Sequence, residues 1–191
     1  MDDVLQAGGV VVFPADTVYG LGCHPDERDA VERIYTLKGR PADKPAAVMF
    51  FGWEAVDLEI APRTRALLER LLPGPLTALL PNPHARYPLA CGPDPETIGL
   101  RVPDVPMLAH VRSPLLQTSA NLAGEPDARR LADVPRTIRD GADAVVDGGE
   151  LPGTPSTVID LRRFEAAGAW VVVRQGALER AAIERAVARN S

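Results

Sequence analysis

The chain has 191 residues, 46% of them hydrophobic and 25% charged, with a formal net charge of −5. That length suits one well-buried domain over residues 1–191 rather than two. The acidic balance excludes nucleic-acid binding by overall charge, and two cysteines, Cys23 and Cys91, exclude a disulfide-dense secreted scaffold. No apolar run approaches the ~18 residues of a membrane span. The opening MDDVLQAGG lacks a charged-then-apolar leader, so a soluble, cytoplasmic protein without membrane contact is expected.

Residues 3–7 suggest a short helix, stopped by Gly8-Gly9. VVVF at 10–13 is a β-branched run bounded by Gly and Pro and reads as a buried strand. Residues 27–37 place Ala30, Val31, Ile34 and Tyr35 on one helical face, with Asp26 as N-cap. AAVMFF at 46–51 is a second buried strand. Pro62 opens a helix with Leu67, Leu68, Leu71 and Leu72 inward, ended by PGP at 73–75. LTALL at 76–80 is strand-like. Residues 82–96, with four Pro and one Gly, read as a long irregular loop and a candidate mobile lid.

TIGLRV at 97–102 and LLQT at 115–118 read as strands, with a short helix at 105–112 between them. Pro135 starts a helix to about Asp140. AVVD, STVIDL and WVVVR, at 144–147, 156–161 and 170–174, are strands, and a helix at 178–189 ends the chain. Interleaved strands and helices predict an α/β or α+β domain around one mostly buried sheet.

The chemistry-bearing residues gather at strand ends. Of 21 basic residues only two are Lys, and both lie in KGRPADKP at 38–45, with Arg40 between them. Lys38 alone is accounted for by a helix C-terminus, which favours cations. Lys38, Arg40 and Lys44 together, on a loop stiffened by two prolines, also suit a polyanion such as a triphosphate. PADTVYGLG at 14–22 follows the first strand, where ligands of open α/β sheets bind, and offers Thr17. A plain Gly-rich turn is the other reading.

TSAN at 118–121 presents Ser119 and Asn121, which equally suit a helix cap or turn. Thr97 and Arg101 are i and i+4 on one strand and share a face. Ser156 opens a strand and Arg174 closes one. No Walker or dinucleotide glycine motif is present. Cys23-His24 with Cys91 has no metal-ligand spacing, and His24, His84 and His110 follow no motif.

In order, PADTVYGLG, KGRPADKP, PGPLT at 73–77, IGLRVP at 98–103, TSANLAGEP at 118–126, DGG at 147–149, PSTVID at 155–160 and VVVRQG at 171–176 resemble the YrdC/TsaC family. That family comprises the threonylcarbamoyl-AMP synthases, and the chain looks like their short single-domain form. The resemblance implies a twisted, largely open mixed sheet flanked by helices, with a deep, positively lined concave face. It implies the reaction of L-threonine, bicarbonate and ATP to L-threonylcarbamoyl-AMP and pyrophosphate. The product would feed a separate threonylcarbamoyl transferase complex acting on adenosine 37 of tRNA.

By the same resemblance Lys38 and Arg40 are catalytic. ATP would be held by Lys38, Arg40, Lys44, Thr97, Ser119, Asn121 and Arg174. Threonine would be held by Thr17, Arg101 and Ser156, with Arg101 on its carboxylate. Mg²⁺ would ride on the ATP phosphates, with no protein metal site.

Two positions depart from the family. Ala15 stands where members carry a threonine, and Met49 where some carry a histidine near the amino acid. Both bear on the threonine pocket. A second reading is a non-catalytic maturation factor binding double-stranded RNA or tRNA, which needs the 19 Arg spread as a wide stripe. A third is a carbamoyl-adenylate enzyme of the hydrogenase-maturation type, normally a longer chain with zinc-finger-like Cys pairs.

Overall fold

The computed structural model describes residues 1–41 and 43–189. Ala42, inside KGRPADKP, and the last two positions of the 1–191 domain lie outside the described residues. The elements run α1 (Asp2–Gln6), β1 (Val10–Pro14), β2 (Tyr19–Cys23), α2 (Arg28–Lys38), β3 (Ala47–Met49), α3 (Pro62–Leu68), β4 (Leu76–Pro81), α4 (Pro88–Cys91), β5 (Thr97–Arg101), β6 (Leu115–Ser119), α5 (Arg136–Asp140), β7 (Ala144–Val145), β8 (Thr157–Asp160), α6 (Phe164–Ala167), β9 (Val171–Arg174) and α7 (Arg180–Ala188).

All these strands join one sheet in the order β7-β1-β2-β6-β3-β5-β4-β8-β9. The pairs β1/β7, β3/β5 and β4/β8 are parallel and the other neighbours antiparallel. The sheet is mixed and open, as expected.

Strand alternation decides what each face does. Val10, Val12, Tyr19, Leu21, Val48, Leu76, Ala78, Leu80, Ile98, Leu100 and Leu116 point to one face. There they meet Ile34 of α2, Leu67 of α3, Ile138 of α5, Phe164 of α6 and Ile183 of α7, forming the main core. The opposite face is divided. Under α1 it is apolar, with Leu5, Val11, Phe13, Met49, Phe51 and Leu115 in a second cluster. Toward β4, β5, β8 and the far part of β6 the same face carries Thr77, Thr97, Arg101, Gln117 and Ser156, and there it is hollow.

Some elements differ from expectation for identifiable reasons. β2 is a strand where a ligand loop was expected. Its glycines make room for neighbouring side chains: a Cβ on Gly20 would meet the Phe13 ring at 2.6 Å, and one on Gly22 would meet Leu115 at 2.8 Å. α2 starts at Arg28, so its N-cap is Glu27 rather than Asp26; Asp26 lies 3.6 Å from Arg86. The helix expected at 105–112 is a single 3-10 turn, Pro106–Leu108.

Residues 82–96 are not a structureless loop. They contain α4 and are pinned by Asn82, whose Nδ2 donates to the Arg86 and Pro95 carbonyls, each at 2.9 Å. Asn82 Oδ1 accepts from the Arg86 N–H at 2.9 Å. Tyr87 is buried, with its hydroxyl 2.8 Å from Asp57 Oδ2. No described helix is long and apolar enough to cross a membrane.

Candidate functional site

The hollow on the second face is a cavity of about 480 Å³. Its floor is the sheet itself: Gly99 and Thr97 of β5, Thr77 and Leu79 of β4, Gln117 and Ser119 of β6, Val158 of β8. Four arginines, Arg40, Arg101, Arg162 and Arg174, and two aspartates, Asp94 and Asp127, line it. Of the residues named from sequence, Thr17, Arg40, Thr97, Arg101, Ser119, Ser156 and Arg174 face this one space. Lys38, Lys44 and Asn121 are not in its lining.

Lys38 ends α2, and Gly39 follows it in the left-handed region at φ 59°, turning the chain back. Lys38 is 3% exposed. It donates to the Ser119 carbonyl, the Asn121 carbonyl at 2.6 Å and Asn121 Oδ1 at 3.0 Å. Three oxygens therefore take the three donors an ammonium has. Ser119 Oγ donates to the same Asn121 Oδ1 at 2.5 Å, and Asn121 Nδ2 donates to the Glu125 carbonyl at 2.5 Å. The paired motifs form one network that holds the end of β6. Burial, with Arg40 nearby, pulls Lys38 down to about 8.

Arg40 reaches across the rim. Nη1 donates to Thr118 Oγ1 at 2.8 Å and Nη2 to the Pro45 carbonyl at 2.7 Å. Lys44 is exposed, and its carbonyl accepts from the Tyr35 hydroxyl at 2.6 Å. Thr97 Oγ1 accepts from Arg162 Nη1 at 3.2 Å, while Arg162 is also paired with Asp160 and lies 3.7 Å from Asp94.

Deeper in the cavity, Arg101 is 4% exposed. Its Nη2 lies 2.7 Å from Asp16 Oδ1 and 3.4 Å from Thr17 Oγ1. Its Nε–H has no partner among the described residues. An unmet buried donor costs about 1–3 kcal/mol. Burial pushes the Asp16 carboxyl above its usual value and pulls Arg101 down, and their mutual attraction opposes both shifts. Beside them Ser156 Oγ is 2.9 Å from Thr77 Oγ1, and Arg174 Nη2 donates to the Ser156 carbonyl at 2.7 Å.

Sequence reasoning did not single out Asp16, Arg162 or Asp127, and it took Thr118 only as part of TSAN. Asp16 sits between two residues that were weighed, so its carboxylate was the available signal. Arg162 meets Thr97 only because β4 alone separates β5 from β8, and no local pattern announces that. The departures at 15 and 49 adjoin the Arg101–Asp16 pair: Ala15 precedes Asp16, and Met49 pairs with Arg101 between β3 and β5. Ala15 and Met49 are buried together in the second apolar cluster and do not line the cavity.

Chemically, the cavity can hold and orient anionic pieces. Burial raises the Cys91 thiol at its wall, so Cys91 stays protonated. None of the three histidines lines it. Arginines, hydroxyls and an amide are suited to positioning and to spreading developing charge.

An open mixed sheet with this arginine-lined hollow on one face defines a YrdC-type domain. The chain belongs to the Sua5/YciO/YrdC family, described as telomere recombination, which it matches over residues 3–176. It is 37% identical over 166 residues to a threonylcarbamoyl-AMP synthase of Pseudomonas aeruginosa, covering 83% of this chain and 89% of that protein. It is 32% identical over 191 residues to the threonylcarbamoyl-AMP synthase of Pyrococcus abyssi, covering 96% of this chain and 55% of that longer protein. The crystal structure of Pyrococcus abyssi Sua5 complexed with L-threonine superposes with a TM-score of 0.84 at 31% identity, over 97% of this chain and 55% of that one.

Proposed function

We propose that this chain is an L-threonylcarbamoyladenylate synthase, an adenylyl-transferring enzyme working as one domain. It joins L-threonine, bicarbonate and ATP into L-threonylcarbamoyl-AMP and releases pyrophosphate. The observation that carries the reading is the convergence of Thr17, Arg40, Thr97, Arg101, Ser119, Ser156 and Arg174 on a single cavity. The named relatives support the same reading.

Amines and CO₂ form carbamates without a protein nucleophile. The carbamate oxygen then attacks the α-phosphorus in line, forming the P–O bond as the bond to pyrophosphate breaks. The protein's part is to hold the pieces close and to offset charge. Arg40, Thr97, Ser119 and Arg174 face the ATP side, and Mg²⁺ enters on the phosphates. Lys38 and Asn121 shape that side by fixing the end of β6, and Lys44 stands at the outer loop. Thr17, Arg101 and Ser156 form the threonine side. The product passes to a threonylcarbamoyl transferase acting on tRNA.

The test is pyrophosphate release by the purified chain with ATP and Mg²⁺, omitting threonine or bicarbonate in turn. The reading requires both, with a fall of roughly a hundredfold in Arg40→Ala. Release indifferent to threonine would sink it.

A further inference from the structure

We propose that Asp16 is the positioning residue that aims Arg101 at the amino-acid carboxylate, and so sets the pocket's demand for a carboxylate. The inference rests on the synthase reading and adds a residue to it.

The argument begins with placement. Arg101 projects from the floor strand β5, on the face it shares with Thr97. A long side chain on a strand has many rotamers, and a binding guanidinium must be confined to one of them. Asp16 supplies that confinement. Its Oδ1 holds Nη2 at 2.7 Å, and the pair is shielded from water, with side-chain exposures of 5% for Arg101 and 7% for Asp16. Asp16 Oδ2 is 3.4 Å from the Asp104 N–H, beyond the end of β5. Asp16 therefore links the loop after β1 to the chain leaving β5.

Asp16 itself is not among the cavity-lining residues, whereas Arg101 and Thr17 are. It stands behind Arg101, spends Nη2, and leaves the Nε–H unpartnered. A buried arginine that already has one carboxylate carries little net charge to attract a polyanion. What remains is a directional donor, which favours a small carboxylate in one orientation.

The groups packed around the pair are consistent with an outward aim. Thr17 Oγ1 lies 3.4 Å from Nη2. Arg174, also lining the cavity, contributes like-charge repulsion that disfavours the Arg101 charge. Asp104 does the same to Asp16. Among the described residues no other carboxylate is hydrogen-bonded to Arg101, so the charged part of the aim comes from Asp16.

The experiment uses the full chain and Asp16→Asn, which keeps the size and one oxygen but removes the charge. Steady-state pyrophosphate release gives KM for threonine and for ATP separately. Inhibition by 2-aminobutane-1,3-diol, threonine with its carboxylate reduced, gives the preference for a carboxylate. The expected result is a rise of about tenfold or more in KM for threonine, as for a broken buried charge pair. KM for ATP should stay within about twofold, and the preference for threonine over the diol should fall by a similar factor to the threonine loss.

Asp16→Glu, which keeps the charge but moves it by one methylene, should also raise KM for threonine, and it serves if Asp16→Asn does not fold. Unchanged threonine KM with the preference intact in a folded variant overturns the proposal. Equal rises for both substrates also overturn it, because they report a general structural defect. A wild-type chain that releases pyrophosphate without regard to threonine is a different result: it removes the synthase reading, and this inference goes with it.

Discussion

Lys38 shows why one lysine in an arginine-rich chain is not exchangeable. Its three acceptors converge on one nitrogen from Ser119 and Asn121, a geometry for a compact ammonium and not for a planar fork. Lys38→Met leaves buried oxygens unmet and should lower stability by about 2–3 kcal/mol in urea unfolding; Lys38→Arg should not restore it. The pH dependence has a definite sign. Lys38 is held at about 8 in the fold, against about 10.4 unfolded, so between these values the unfolded chain binds more protons. Wild-type stability relative to Lys38→Met should therefore rise with pH across that window; a constant difference would refute the burial argument. At position 15 the expectation from family resemblance was a lost hydroxyl near the amino acid. The structure turns that side chain into the apolar cluster with Phe13 and Met49. Ala15→Thr should then leave KM for threonine within about twofold while costing stability, because a hydroxyl would enter an apolar site.

Among the elements, β1, α2, β4, β5, β6 and β8 were legible because each carries a clear apolar period or β-branched run. β2 was not, because Tyr19–Cys23 contains two glycines, and glycine weakens any strand pattern. The reason for those glycines lies on other strands, in Phe13 and Leu115, where local reading has no access. The 82–96 segment failed in the opposite way: prolines suggested looseness, but one asparagine organises it. Asn82→Ala removes three hydrogen bonds to the backbone and one to Cys91 Sγ, from a residue only 5% exposed. It should cost about 2–3 kcal/mol and speed limited proteolysis between residues 83 and 95. Cleavage rates equal to wild type would show that Tyr87 and α4 hold the segment without it.

For the whole molecule, the cavity-lining residues named from sequence stood there as isolated polar groups at strand ends, and only the family resemblance grouped them. Strand order could not be read locally, since β6 lies between β2 and β3 and β4 between β5 and β8. Contacts such as Arg162 with Thr97 follow from that order alone. Gly99 tests whether the floor is ligand space. A Cβ there would approach Ala47 at 3.4 Å, ordinary contact, with the cavity beyond. Gly99→Val should keep the melting temperature within a few degrees, roughly 1 kcal/mol for a domain of this size. It should nevertheless cut pyrophosphate release by roughly a hundredfold. A folded Gly99→Val with full activity would place the chemistry elsewhere.

The division of each strand between two faces has a developmental meaning. On β5, Ile98 and Leu100 enter the core while Thr97, Gly99 and Arg101 floor the cavity. A slip of one residue in pairing would exchange the two sets, placing leucine under the ligand and arginine among the leucines. The hydrophobic penalty that rejects the misaligned sheet thus also proofreads the floor. Reaching the correct register completes the floor in the same moment as the core.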